Sequence, residues 1–226
     1  MFVEASGVTQ PSKRRGRPAL ISREQILSAA LVIVDEHGLE ALTMRRLGTA
    51  LGVDPMTIYH HVPDKAALFD GLVERVFSEI ALPSPTGRWS EDLRALARCA
   101  RATFLAHPEL AALAGTRPPV TEPAFDLVEA VTGIVLQAGF GEQRAADVFD
   151  CLGRLVIGHV LAEAGRPPGG EVGGGEQEHH EAQVALPGDR YPSIAAVERA
   201  GVRHDPGRLF ELALDGLIAS VSSNQS

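Results

Sequence analysis

The chain is expected to be all-α, with a small N-terminal domain of short helices and a larger helical domain behind it. Three observations predict this. Apolar residues recur at helical spacing through most of the 226 residues. No stretch alternates in the manner of a strand, and there is no internal repeat. Helix starts and stops are also written out in residues that cap helices, such as Ser22, Thr43, Asp54 and Asp64, and in Gly38 and Gly52.

Composition sets the frame. Apolar residues make up 45% of the chain, enough for a substantial core. No apolar run approaches the roughly 18 residues of a membrane span, and no apolar stretch follows the polar, basic start as in a signal peptide. A cytoplasmic protein with no membrane contact is expected. Cys99 and Cys151 lie in apolar helical patterns and read as buried free thiols rather than a disulfide, with a redox role as the alternative.

The net charge of −8 argues against DNA, but its distribution argues for it. Residues 1–65 hold 8 Lys/Arg and 7 Asp/Glu, while residues 66–226 hold 13 and 22. Residues 11–23 carry Lys13, Arg14, Arg15, Arg17 and Arg23 and no acid. A cationic arm on an acidic body addresses a polyanion, because phosphate attraction acts locally.

Residues 1–21 lack periodicity and read as a mobile arm. A helix starts at Ser22, with Gln25 at capping-box spacing and Ile26, Leu27, Ala30, Leu31 and Val34 as its stripe; Gly38 ends it. A second runs from Thr43 to Leu51 and stops at Gly52. A third starts from Asp54 with Pro55 in its first turn and reaches about His61. Pro63 and Asp64 break and recap the chain. Leu68, Leu72, Val76 and Ile80 then predict a longer helix to about Leu82. The Pro83–Gly87 stretch marks a linker and a domain boundary, giving units of 22–82 and 88–226. Further helices are expected near 90–106, 108–115, 122–138, 142–164 and 206–222, with a short one possible near 193–200. Residues 165–190, rich in Gly, Pro, Glu and His, read as a flexible loop.

The segment TMRRLGTALGVDPMTIYHHVPDK at 43–65 carries the most information. Two short helices around a tight Gly-containing turn make a helix-turn-helix. Leu47, Leu51, Val53 and Ile58 can pack it, which leaves Met56, Thr57, Tyr59, His60 and His61 around the second helix. Thr57, Tyr59 and His61 offer hydroxyl and imidazole donors to phosphate or base edges, and Met56 suits a thymine methyl. Arg45 can reach a guanine or a phosphate, and Lys65 a phosphate. On spacing alone, a solvated helix pair or a metal fragment remains open.

These residues resemble the TetR family of bacterial repressors. The resemblance rests on Gly38, Leu42-Thr43-Met44-Arg45-Arg46-Leu47, Leu51-Gly52-Val53, Thr57-Ile58-Tyr59-His60-His61-Val62 and Lys65 followed by Leu68. It implies a third helix (about 54–61) in the major groove. It also implies phosphate contacts from Thr43, Tyr59, His61 and Lys65, and base contacts from Arg45 and the segment Pro55, Met56 and Thr57. Pro55 and Met56 at base-reading positions mean that the operator cannot be copied from a relative. Arg15-Gly16-Arg17-Pro18 resembles an AT-hook core, suited to a narrow minor groove; a solvated basic tail is the alternative.

One such head buries too little DNA, so a homodimer reading two half-sites roughly 34–36 Å apart is expected. The helix near 142–164 carries Ala145, Val148, Phe149, Leu152, Leu155, Val156, His159 and Val160, widened by Cys151, Ile157 and Leu161. The helix near 206–222 carries Leu209, Leu212, Ala213, Leu217, Ile218 and Val221, with small Gly216 and Ser220. Stripes wider than one partner needs predict a four-helix bundle between two copies; core helices of a monomer are the alternative.

Over about 89–164 the chain also resembles tetracycline-repressor-type C-terminal domains, on Trp89, Gly115-Thr116-Arg117-Pro118, Gly139-Phe140 and Gly158. That resemblance implies an effector pocket. Positions that contact drug or magnesium in such domains are here Ala81, Leu96, Ala100 and Leu113, which cannot bind a metal. A small, largely apolar organic effector is therefore expected, with no cofactor, in a pocket between the 90–138 helices and the 142–164 helix, lined by residues such as Leu96, Ala100, Phe104, Leu113, Arg117, Val131 and Val135. Arg117 either orients an acidic or carbonyl group or stabilises its turn. His179 and His180, with Glu176, Glu178 and Glu181, read as a solvated loop rather than a metal sensor. An all-α enzyme or carrier has no support: phosphate loop, nucleophile elbow and metal-ligand spacing are all missing.

Overall fold

The computed structural model describes residues 21–117, 120–164, 190–202 and 205–223. The arm with Arg14, Arg15 and Arg17, and the 165–190 segment with its histidines up to residue 189, lie outside these. Among the described residues there are ten α-helices, one short 3₁₀ turn and no strand. The helices are α1 (Arg23–His37), α2 (Met44–Leu51), α3 (Pro55–Tyr59), α4 (Lys65–Glu79) and α5 (Trp89–Ala106). They continue with α6 (Pro108–Gly115), α7 (Glu122–Gln137), α8 (Glu142–Ala164), α9 (Pro192–Arg199) and α10 (Pro206–Ser223).

The caps explain the boundaries. Ser22 and Gln25 form a reciprocal capping box at the start of α1. The side chains of Thr43, Asp54 and Asp64 accept from the backbone N–H groups of Arg46, Met56 and Ala67 at 3.1, 2.8 and 2.8 Å. Gly52 closes α2 with φ at 67°, a left-handed conformation that costs a side-chain-bearing residue more. Gly48 serves a different purpose: a Cβ there would meet the Val53 carbonyl at 2.9 Å, so its lack of a side chain lets α2 and α3 approach.

Two helices are shorter than expected. α3 ends at Tyr59 rather than His61, because the N–H groups of both His61 and Val62 turn back to the Ile58 carbonyl at 2.9 Å. α4 ends at Glu79 rather than Leu82. Ile80 is extended and buried, and Leu82 is exposed just before Pro83, which disfavours helical backbone in the residue before it.

Helices α1 to α4 pack around Ile26, Val34, Leu42, Leu47, Ile58, Leu68 and Leu72, all essentially inaccessible to water. Ile21, which the sequence reading leaves in the arm, is buried with them. α8 forms the axis of the rest and touches α5, α6, α7 and α10. The apolar core is continuous between the two halves, because α4 also packs on α5, α6 and α7. Phe77 on α4 meets Phe104 on α5 edge to face at 5.8 Å.

The thiol expectation needs one correction. Cys99 is half-buried, but Cys151 is exposed. The inward stripe of α8 is Ala145, Val148, Leu152, Val156 and Val160, and Cys151 falls outside it. On α10 the inward residues are Phe210, Leu214, Ile218 and Val221, whereas Leu209 and Leu212 point outward. Phe210 and Leu214 were missed by the sequence stripe, which had merged two faces into one.

Candidate functional site: a DNA-reading surface coupled to an apolar cavity

The α2–α3 pair buries its apolar residues and presents its polar ones. Leu47 and Ile58 are fully buried, and Val62 is 1% exposed. Met56 (64%) and Tyr59 (40%) face water, as do Thr43, Arg45, His60, His61 and Lys65; Pro55 and Thr57 are half-buried. The structure therefore leaves every candidate on α2, α3 and the start of α4 exposed or half-buried. None of the three residues on which the groove reading most depends, Thr57, Tyr59 and His61, is packed inside.

Local chemistry fixes several of these groups. The Thr43 oxygen already accepts from Arg46 N–H, so its hydroxyl hydrogen is the part left to give to a phosphate. The Asp54 carboxylate holds the first turn of α3 through Met56 N–H. Lys65 lies over the Phe69 ring, 5.1 Å from its centroid, which orients the ammonium at the start of α4. Arg46 and Thr49 are exposed on α2 as well, and Thr49 donates to the Arg45 carbonyl at 3.0 Å.

A second feature lies in the C-terminal half. A cavity of about 430 Å³ opens between α4, α5, α6, α7 and α8, a size that fits a small organic molecule. Leu96, Ala100, Phe104, Arg117 and Val131 line it, as the sequence reading expects. Leu113 and Val135 do not: Val135 is sealed in the core, and Leu113 packs against it from the edge. The sequence reading expects the pocket to lie against the helix near 142–164 but names none of its residues in the lining; Phe149, Leu152, Gly153, Val156 and Ile157 of α8 form a whole wall. It also missed Phe77 and Leu127. The charged wall groups are Arg117, Asp150 and Arg154, the last two 3.5 Å apart. A drug–magnesium pair does not fit this wall. Among the described residues its single carboxylate, Asp150, is already beside a guanidinium, and no His or Cys lines it.

α4 joins the two features. Its first residue, Lys65, is exposed, and its later residues contact the cavity half through three links. Asp70 accepts from Arg117. Phe77 packs on Phe104. Glu79 lies 3.0 Å from the Nε2 atom of His107, whose Nδ1 atom lies 2.9 Å from Asp35 on α1. Partial burial acts to raise the Glu79 pKa, but hydrogen bonds and charge from Arg75 and His107 outweigh it and hold the carboxyl below its ordinary range.

The buried Asp92 of α5 holds the segment after α4 in place. Asp92 accepts from the Thr86 hydroxyl at 2.7 Å, from Thr86 N–H at 2.8 Å and from Gly87 N–H at 3.2 Å. The Thr86 hydroxyl, then the backbone donors, lower its pKa against the opposing effect of burial.

Comparisons with known proteins agree with this geometry. Residues 26–72 match the family described as "Bacterial regulatory proteins, tetR family", and residues 82–224 match "Tetracyclin repressor-like, C-terminal domain". The chain is 33% identical over 156 residues to an HTH-type transcriptional regulator of Saccharopolyspora erythraea, covering 69% of this chain and 66% of that protein. It is 33% identical over 149 residues to the class E tetracycline repressor protein of Escherichia coli, covering 64% of this chain and 70% of that one. Among solved structures it is similar to the TetR family protein ActR of Streptomyces coelicolor in complex with actinorhodin. The TM-score is 0.78 at 30% identity, over 90% of this chain and 97% of that chain.

Proposed function

Since the chain belongs to the TetR family of bacterial regulatory proteins, a family of transcriptional regulators, we propose that it is a homodimeric repressor that a small organic effector releases from its operator. The observation that carries the DNA reading is the α2–α3 pair: Leu47, Ile58 and Val62 hold it rigid from inside, while Arg45, Met56, Tyr59, His60 and His61 line its outer side. Arg45, Pro55, Met56 and Thr57 read bases. Thr43, Tyr59, His61 and Lys65 hold phosphates, and the basic arm with Arg14, Arg15 and Arg17 reaches phosphate or the adjacent minor groove.

The dimer forms through α8 and α10. Beyond the inward stripe of α10, Leu209 and Leu212 remain exposed, with Gly216 and Ser220 allowing close approach; on α8, Leu161 and Gly158 are exposed, although both also line the cavity. Two copies joined there would present two heads to a pseudo-palindromic site.

The effector occupies the 430 Å³ cavity. It acts by binding one dimer conformation better than another, since only differential affinity shifts such an equilibrium. α4, held to the cavity half through Asp70, Phe77 and Glu79, carries that preference to the head. ActR was solved with actinorhodin bound, which supports an organic ligand for the similar domain here. The test is a mobility-shift assay on the DNA around the protein's own gene. A salt-sensitive, sequence-specific shift is expected, and its absence at every fragment would overturn the reading.

A further inference from the structure

Arg117 occupies two places at once. Its side chain forms part of the cavity wall, yet its Nη1 atom donates to Asp70, which lies outside that wall on α4. The guanidinium carbon also sits 5.9 Å from the centroid of the Phe69 ring, which Lys65 flanks at 5.1 Å. A single aromatic ring thus touches both the cavity cation and a cation at the DNA end.

The hydrogen bonding of Arg117 is incomplete. Its Nε atom is buried and has no partner. A guanidinium carries five donors in one plane and matches a carboxylate best when two parallel donors are used. Asp70 is 57% exposed, so water competes for it and the pair is of the weak, exchangeable kind. The other charged groups on the wall, Asp150 and Arg154, face each other. Arg117 is therefore the wall cation whose counter-ion lies elsewhere. An anionic oxygen inside the cavity would meet it in drier surroundings, where charge-assisted hydrogen bonds are stronger, and could engage the unpaired Nε as well.

We propose that Arg117 is the anion anchor of the effector site: an apolar molecule bearing a carboxylate, phenolate or enolate takes Arg117 from Asp70, and the loss of that tie on α4 weakens operator binding. This rests on the cavity being the effector site, and it adds the chemical class of the ligand and the contact that is exchanged. Wall residues such as Leu96, Phe104 and Val131 bind the apolar body, while Arg117 selects for charge. By reciprocity, acid binding must be weaker on the operator-bound protein than on the free one.

Two planar probes of near-equal shape test this, anthraquinone-2-carboxylate and the uncharged anthraquinone-2-carboxamide. Calorimetry on the full-length protein, free and saturated with an operator duplex found by selection, gives four affinities. The carboxylate should bind the free protein at least about tenfold more tightly than the amide, the difference expected of one charge-assisted pair. Arg117→Gln should bring the two probes within about twofold of each other, and Arg117→Lys should keep part of the preference. Asp70→Asn removes the competitor. It should tighten carboxylate binding severalfold and shrink the difference between free and operator-bound protein. Melting curves of each variant establish that it is folded. Equal affinity of the probes for the native protein, or an unchanged preference in Arg117→Gln, overturns the anchor. So does an amide that releases the operator as well as the acid, though that result leaves the effector site standing. If neither probe binds, both the anchor and the effector reading fall.

Discussion

The imidazole of His107 bridges Glu79 on α4 and Asp35 on α1, with ring nitrogens 3.0 and 2.9 Å from the two carboxylates. His107 stands where α5 hands over to α6, and its side chain is 13% exposed. It therefore ties both long helices of the DNA-binding half to the cavity half. Replacing it by Ala leaves two carboxylates facing each other across a half-buried gap. His107→Ala should lower unfolding free energy by about 1–3 kcal/mol, the cost of stranding partly buried hydrogen-bonding groups. Urea denaturation measures this, and a variant as stable as the native protein would remove the bridge from the account.

The same bridge sets a pH dependence. Burial pushes the Glu79 pKa upward, but Arg75 and His107 outweigh it, so the folded value lies below the unfolded one. A carboxyl of that kind contributes stability above the ordinary carboxylate range and loses it as pH falls through the folded value. Glu79→Gln should therefore melt below the native protein at pH 7, and the gap should narrow as pH drops below about 4. Asp92 follows the same sign, since Thr86 and then Gly87 hold its folded pKa down. Asp92→Asn should show a deficit at neutral pH that fades in acid. Thermal melts across pH settle both, and a gap that widens in acid contradicts them.

Phosphate and base contacts respond differently to mutation. Tyr59→Ala, His61→Ala and Lys65→Ala should each weaken operator binding about equally for all sequences. For Lys65→Ala the slope of log affinity against log salt should also fall by about 1. Met56→Ala should instead change the preference at one base pair per half-site, by about 1–3 kcal/mol. Fluorescence anisotropy on a set of operator variants separates the two behaviours.

The dimer surface has a direct test. Leu212 is 64% exposed on the outer face of α10 and contributes nothing to the protomer's inward packing. Leu212→Glu should leave the fold intact and shift the protein to a monomer in sedimentation equilibrium. An unchanged dimer would place the interface elsewhere.

The signals that made the DNA-reading end legible are local ones. Ser22, Thr43, Asp54 and Asp64 cap the turns that directly follow them, and Gly52 permits the left-handed turn between α2 and α3. The cavity is set by contacts distant in sequence, and there the reading weakened. The residues of α8 were assigned to one broad stripe, although Phe149, Gly153 and Ile157 face the cavity and Cys151 faces outward. Periodicity gives the width of a stripe, not which neighbour covers which part of it. Phe210 was missed because it falls just outside the stripe drawn through Leu209 and Leu212, while packing decided for Phe210 through His159, 5.5 Å away edge to face. The Asp70–Arg117 and Glu79–His107 contacts join residues 47 and 28 positions apart, and no pattern along the chain announces them.

The most direct measurement is selection of bound duplexes from a random DNA library by the full-length protein, in parallel with a variant carrying Met56→Ala and Thr57→Ala. The native protein should enrich an inverted repeat whose half-sites are centred about one helical turn apart. The variant should lose or alter that preference while keeping salt-sensitive, non-specific binding. Enrichment of no sequence at all, or of the same site by both proteins, would contradict the assignment of α3 as the base-reading helix.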